Sequence, residues 1–198
     1  MPDAREQLFA AAVRVLRRDG ADGLTSRAVT SEAGVAKGIL HRCFSDFEAF
    51  LAALALSHIE HLDHSAAELR ANAGSGTVHD NLADALAAAL TPDVLAIVSL
   101  VMSRHELLNR MRLTTPKGIP LLTEVSKMIA AYLTAERGLG RIALETDVDS
   151  LAVIAVGGAY LRATERDAAP LKAGDLLDIL GTAIRSDAPH HPGRAARR

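Results

Sequence analysis

Within seven residues, Lys37, Ile39, His41, Arg42 and Cys43 bring together two permanent cations, an imidazole and a thiol. They follow a small-Gly-Val corner, Ala33-Gly34-Val35, which suits a tight turn between two short helices. Leu40 and Phe44, four positions apart, bury one side of the helix after that corner. Lys37, His41 and Arg42 are then left on its outward side. Arginine and lysine pair with guanine edges or phosphate oxygens, and histidine donates to phosphate. The chemistry on offer is therefore polyanion recognition.

Other candidate chemistries lack their partners. His58, His61 and His64 repeat at spacing three, so adjacent pairs could share a metal ion. No HExxH and no Glu-x-x-His accompanies them, and Glu60 and Asp63 between them suit a solvated face. We expect no metal site there. There is no glycine-rich phosphate loop, and no serine or cysteine sits in a nucleophile motif. The paired helical carboxylates and histidines of a bundle enzyme are missing as well. The chain reads as a non-enzyme without a cofactor. A helical-bundle enzyme remains the weakest alternative.

The elements that must hold these residues are all helical. The chain has 198 residues, 49% of them apolar, with only 3% aromatic. Alanine and leucine dominate, and turn signals recur every one to three helical lengths. A first helix starts at Asp3, whose carboxylate can cap it with Glu6 reaching back. It carries an apolar stripe of Leu8, Phe9, Ala12, Val15 and Leu16, and it ends at Gly20 and Gly23. Thr25 caps a second helix that ends near Ala33, with Leu24 and Val29 as a hydrophobic staple. The third helix spans 37–44. Ser45 with Glu48 reads as a capping box for a long fourth helix reaching about residue 71. Asn72 to Thr77 is a linker, and helices are expected over 79–90, 91–109, 120–136, 147–166 and 173–185. Three short helices with this corner make a helix-turn-helix.

The residues Gly23-Leu24-Thr25, Val29, Ala33-Gly34-Val35, Gly38, Leu40, Phe44, Glu48 and Leu51 resemble the TetR family of one-component bacterial regulators. The resemblance covers residues 5–51. It implies an all-α fold of about nine helices, with an N-terminal helix-turn-helix over 1–45. A helical bundle for effector binding and dimerisation would occupy 46–186, followed by a disordered tail at 187–198. By that resemblance Thr25 touches backbone phosphate and Arg27 faces DNA. Lys37, Ile39 and Arg42 fall on base-reading positions. His41 and Cys43 stand where the family has tyrosine, or tyrosine or histidine. Three positions depart from the pattern: Ala36 stands for the capping serine of the third helix, Thr30 for a small alanine, and Phe47 for a phosphate-contacting lysine. A reader of modest affinity is implied, and a small-molecule-binding protein whose reader has decayed is the alternative.

The implied protein is a homodimeric repressor, released from a palindromic operator on double-stranded DNA by a small-molecule effector. Residues 150–161 are apolar nearly all round and, with the helix that follows, suggest the dimer interface. Polar or polarisable residues within apolar stretches are candidates to line the effector pocket: Met102, His105, Asn109, Met128, Tyr132 and Tyr160. Few aromatics and many aliphatics favour an apolar effector. Residues 1–45 hold seven Arg/Lys against five Asp/Glu, a weak positive skew in a chain of net charge −2. The one cysteine excludes an internal disulfide and fits a reducing cytoplasm. No signal-like or membrane-length apolar run is present, so a cytoplasmic protein is expected.

Overall fold

The computed structural model describes residues 3–115 and 117–165. The helix expected over 173–185 and the tail at 187–198 lie outside the described residues. Among the described residues the fold is all-helical: α1 Ala4–Gly23, α2 Ser26–Glu32, α3 Gly38–Cys43, α4 Phe47–Ala71, α5 Val78–Ala89, α6 Pro92–Ser103, α7 His105–Met111, α8 Pro120–Gly138 and α9 Val148–Thr164.

Cap chemistry sets most of the starts. Asp3, Thr25, Thr77, Thr91 and Asp147 each accept a first-turn amide at the head of their helix. Gly20, with φ 72°, breaks α1 before its last turn, as the glycine pair predicts. Two expectations need correction. Ser45 does not cap α4; Asp46 does, taking the Ala49 amide at 2.6 Å, and Ser45 merely donates to Asp46. An ionised carboxylate is the stronger acceptor, and Glu48, the other half of the expected box, faces Arg104 instead. The helix expected over 91–109 is also two helices. Its apolar period continues through Val101, Leu107 and Met111, all buried, yet Arg104 is extended (φ −116°, ψ 104°). Neither glycine nor proline marks this break, so tertiary contacts impose it.

The buried apolar residues form two cores. One gathers Leu8, Val15, Val29, Leu40, Phe44 and Phe50 with Ile97, Val101, Leu107 and Met111, so α6 and α7 pack onto the first three helices. The other joins the distal half of α4 to α5, α8 and α9 through Leu62, Leu69, Leu86, Ile129, Tyr132 and Ala155. Helix α4 runs through both, placing Phe50 and Leu54 in the first and Leu62 and Leu69 in the second. No single helix among the described residues is long and apolar enough to cross a membrane.

The second core contains a carboxylate that sequence patterning missed. Glu136 has no solvent exposure. It accepts from the Tyr132 hydroxyl and the Gly74 amide, and it pairs with Arg141 at 3.1 Å. Asn81 bridges the Tyr132 hydroxyl (2.9 Å) to the Ser75 carbonyl (2.8 Å), and Arg141 also donates to the Gly76 carbonyl. Burial, followed by the bond to Glu136, pushes the Tyr132 phenol well above its ordinary pKa. Four side chains thus tie α8 to the segment that leaves α4. Replacing Glu136 with alanine leaves a hydroxyl, an amide and a guanidinium short of an acceptor. Urea unfolding should show a loss of about 2–3 kcal/mol, near the lower end for a broken buried pair because Arg141 is partly solvated. A loss under about 1 kcal/mol, the worth of an ordinary hydrogen bond, would mean the network holds nothing in place.

Candidate nucleic-acid interface

Helix α2 begins where the Thr25 hydroxyl accepts the Ala28 amide at 3.1 Å. The chain then turns at Gly34, whose φ of 66° is the left-handed conformation glycine adopts freely. The Val35 amide returns to the Thr30 carbonyl at 3.1 Å, and Gly34 to Ser31 at 3.1 Å, closing the corner. Thr30, which stands for a small alanine in the family pattern, is buried and donates its hydroxyl to the Ser26 carbonyl at 2.9 Å. Helix α3 starts without a side-chain cap: Ala36 offers only its carbonyl, to Ile39. Leu40 and Phe44 pin its inner face, and Phe44 meets Phe50 edge-on at 5.1 Å and Phe9 at 5.9 Å. Arg5 lies over the Phe9 and Phe44 rings at 5.4 and 5.2 Å, sealing that cluster.

Thr25, Arg27, Lys37, His41, Arg42 and Cys43 are exposed, while Ile39 is half-buried against the first core. The Cys43 thiol is free and exposed. Charge pairing divides the arginines into two groups. Arg14 and Arg18 both hold Glu32 (2.8 and 2.9 Å), Arg18 also holds Asp19, and Arg17 meets Asp93. Hydrogen bonds from Arg14 and then Arg18 draw the Glu32 carboxyl below its usual range. Arg27, Lys37 and Arg42 form no ion pair among the described residues. The acidic group within α2 is thereby neutralised from behind, and three cations on α2, its turn and α3 stay uncompensated.

Phe47, where a phosphate-binding lysine was missed, stacks on Phe50 at 5.7 Å and lies under the Arg104 guanidinium at 5.8 Å. The six effector candidates do not converge. Met102 is 49% exposed and His105 and Asn109 are exposed near the α6–α7 break. Met128 and Tyr132 are buried in the second core, and Tyr160 is half-buried against both cores. A cleft of about 180 Å³ between α4, α5 and α8 is lined by Glu68, Leu69, Asn81, Asp84, Ala85 and Met128. His58 and His61 turn Nδ1 onto the Leu54 and Ser57 carbonyls, and His64 meets Glu68 at 3.3 Å. No group of three or more potential metal ligands assembles among the described residues.

Residues 8–54 match the bacterial regulatory proteins of the tetR family. The helix-turn-helix region is thus similar to that of the TetR family. A stretch of 63 residues is 36% identical to the HTH-type nicotine-responsive transcriptional repressor HdnoR of Paenarthrobacter nicotinovorans. That match spans 32% of this chain and 32% of the relative, so it concerns about a third of each protein. The multidrug binding protein EbrR, solved with imidazole, superposes with a TM-score of 0.64 at 21% identity, over 96% of this chain and 100% of its own. The fatty acid degradation regulator FadR of Bacillus halodurans superposes at 0.65 and 16% identity, over 93% of this chain and 96% of its own. These likenesses establish that the TetR fold extends beyond the helix-turn-helix to the helices packed behind it.

The α4 cap beneath this interface gives a pH signature. The Asp46 carboxyl is held below the ordinary aspartate range, first by the Ala49 amide; desolvation opposes this and Arg110 assists. A depressed native value makes its contribution complete above the unfolded value and lost as pH falls through the native one. The Asp46→Asn variant should therefore show a shallower loss of stability below about pH 4 than the parent, in thermal melts across pH. Parallel curves would refute the assignment.

Proposed function

We propose that the protein is a homodimeric transcriptional repressor that reads a palindromic operator through α2 and α3 and is released by a small effector. One observation carries this reading: Arg27, Lys37 and Arg42 stand exposed and form no ion pair among the described residues, while Glu32, the carboxylate of α2, is held by Arg14 and Arg18. Thr25 and Arg27 would contact backbone phosphate. Lys37, Ile39, His41, Arg42 and Cys43 would face base edges and flanking phosphates in the major groove. Gly38 supports a close approach, since a Cβ there would meet nothing within 4 Å inside the protein.

The reader would comprise residues 1–45 and the effector and dimer region 46–186. Helix α9 buries Leu151, Ala155 and Ala159 yet leaves Val153 62% and Leu161 66% exposed, which supports a two-fold contact along it. Such a dimer would space the two α3 helices by one DNA turn, about 34–36 Å. The apolar wall of the cleft, Leu69, Ala85 and Met128, supports a small, largely apolar effector; a nicotine-responsive relative and a multidrug-binding neighbour are compatible with that class. The cytoplasm is its place of action, and it carries out no catalysis.

A decayed reader is the second reading. It is favoured by the uncapped start of α3 at Ala36 and by Phe47, whose ring serves internal packing rather than a phosphate. Fluorescence anisotropy on duplex DNA from upstream of the chain's own coding sequence separates the two. Lys37→Ala and Arg42→Ala should each weaken selective binding by about tenfold, the loss of one base contact. A variant that loses a phosphate contact should also lower the slope of log K against log salt by about one. Parent binding that is absent, or that neither variant alters, would favour decay.

A further inference from the structure

We infer that Arg104 is a positioning residue for operator recognition: its guanidinium clamps both ends of the α2–turn–α3 unit to the α6–α7 junction. This rests on the DNA-reading proposal above. From the break after α6, Arg104 donates to Glu48 in the first turn of α4 at 2.8 Å. It also donates to the Leu24 carbonyl at 3.2 Å. Leu24 immediately precedes the Thr25 cap of α2, and Glu48 lies just beyond the end of α3. One side chain therefore holds the entry and the exit of the reading unit, from positions 80 and 56 residues away in sequence.

Three further observations fit a built clamp rather than a chance surface pair. The backbone at Arg104 leaves helical geometry although the apolar period runs on, and α7 starts there without a side-chain cap. The Phe47 ring lies beneath the guanidinium at 5.8 Å, fixing its plane. The second Glu48 oxygen is buried without a hydrogen-bond partner, so Arg104 is the charge that compensates a largely withdrawn carboxylate. Arg110, on α7, adds a parallel contact to the Asp46 cap at 3.2 Å. Displacing α6 and α7 would carry α2 and α3 with them as one body. Arg104 itself need touch no DNA.

The test uses the full chain and two readouts. Arg104→Met keeps an apolar stem of similar length, and Glu48→Gln keeps shape while removing charge, serving if the first variant folds poorly. Arg104→Lys retains the charge but not the two-armed fork. Hydrogen exchange should quicken in peptides covering 24–33 and 45–51 while α8 and α9 stay as in the parent. Affinity for the upstream duplex should fall about tenfold in Arg104→Met and less in Arg104→Lys. The salt slope should stay unchanged, because no phosphate contact is lost. Unchanged exchange in 24–33, or exchange that rises equally in α8 and α9, overturns the clamp. A salt slope reduced by one overturns it too, since Arg104 would then be a direct DNA contact. If the parent binds no duplex, the DNA reading fails, and the exchange pattern alone still decides whether the clamp exists.

Discussion

A unit of about 45 residues is too small to close a stable core by itself, and the rest of this structure follows from that limit. Helices α2 and α3 contribute Val29 and Leu40 to the buried interior, with Phe44 sealing their base. The missing apolar surface comes from α1, from the first half of α4, and from α6 and α7. Those last two helices arrive from far along the chain. The helix-turn-helix is therefore not a bead on a linker. It shares Ile97, Val101, Leu107 and Met111 with the body behind it, and their placement and its own are a single packing problem.

Electrostatics complete what packing begins. A net excess of two positive charges over 1–45 is too small to direct a protein to DNA. What matters is which charges are already paired. Glu32 is held by two arginines of α1, Asp19 by Arg18, and Asp46 by Arg110. Exposed pairs of this kind add little stability, but they decide where uncompensated charge remains. Within α2, its turn and α3 it remains at Arg27, Lys37 and Arg42, all exposed. The same segment would present a mixed surface if Glu32 turned outward.

Local signals were legible in the sequence where one residue acts on its own neighbours. Asp3, Thr25, Thr91 and Asp147 head helices as their cap chemistry demands, and Gly20 and Gly34 turn the chain with positive φ. Periodicity placed Leu8, Val15, Leu40 and Phe44 inside. Reading stopped at features that depend on a distant partner. Ser45 with Glu48 makes a sound capping box until Arg104 claims the glutamate. Residues 91–109 make a sound helix until that same arginine must reach two places at once. Glu136 has the pattern of a surface residue near a helix end, and only Tyr132, Arg141 and Gly74 explain its burial. The outward residues of α3 were legible as a set, because Leu40 and Phe44 fix its orientation.

The long α4 connects these themes. Its 25 residues span about 37 Å and cross both cores. Along its middle it is held by Leu54, Leu62 and other apolar contacts, which are non-directional and tolerate small rotations. At its ends the contacts are polar, and their strength depends on angle as well as distance. Arg104 and Arg110 hold the near end through Glu48 and Asp46. At the far end Glu136, Asn81 and Arg141 hold the backbone of Gly74, Ser75 and Gly76, just past the last turn. The register of α4 is consequently set by α5, by the α6–α7 junction and by α8 with the loop after it, not by α4 itself. Since α3 leads into α4 through Phe44 and Asp46, the direction in which the outward cations face is set by the same groups. The surface that would meet DNA is shaped by side chains that never approach it.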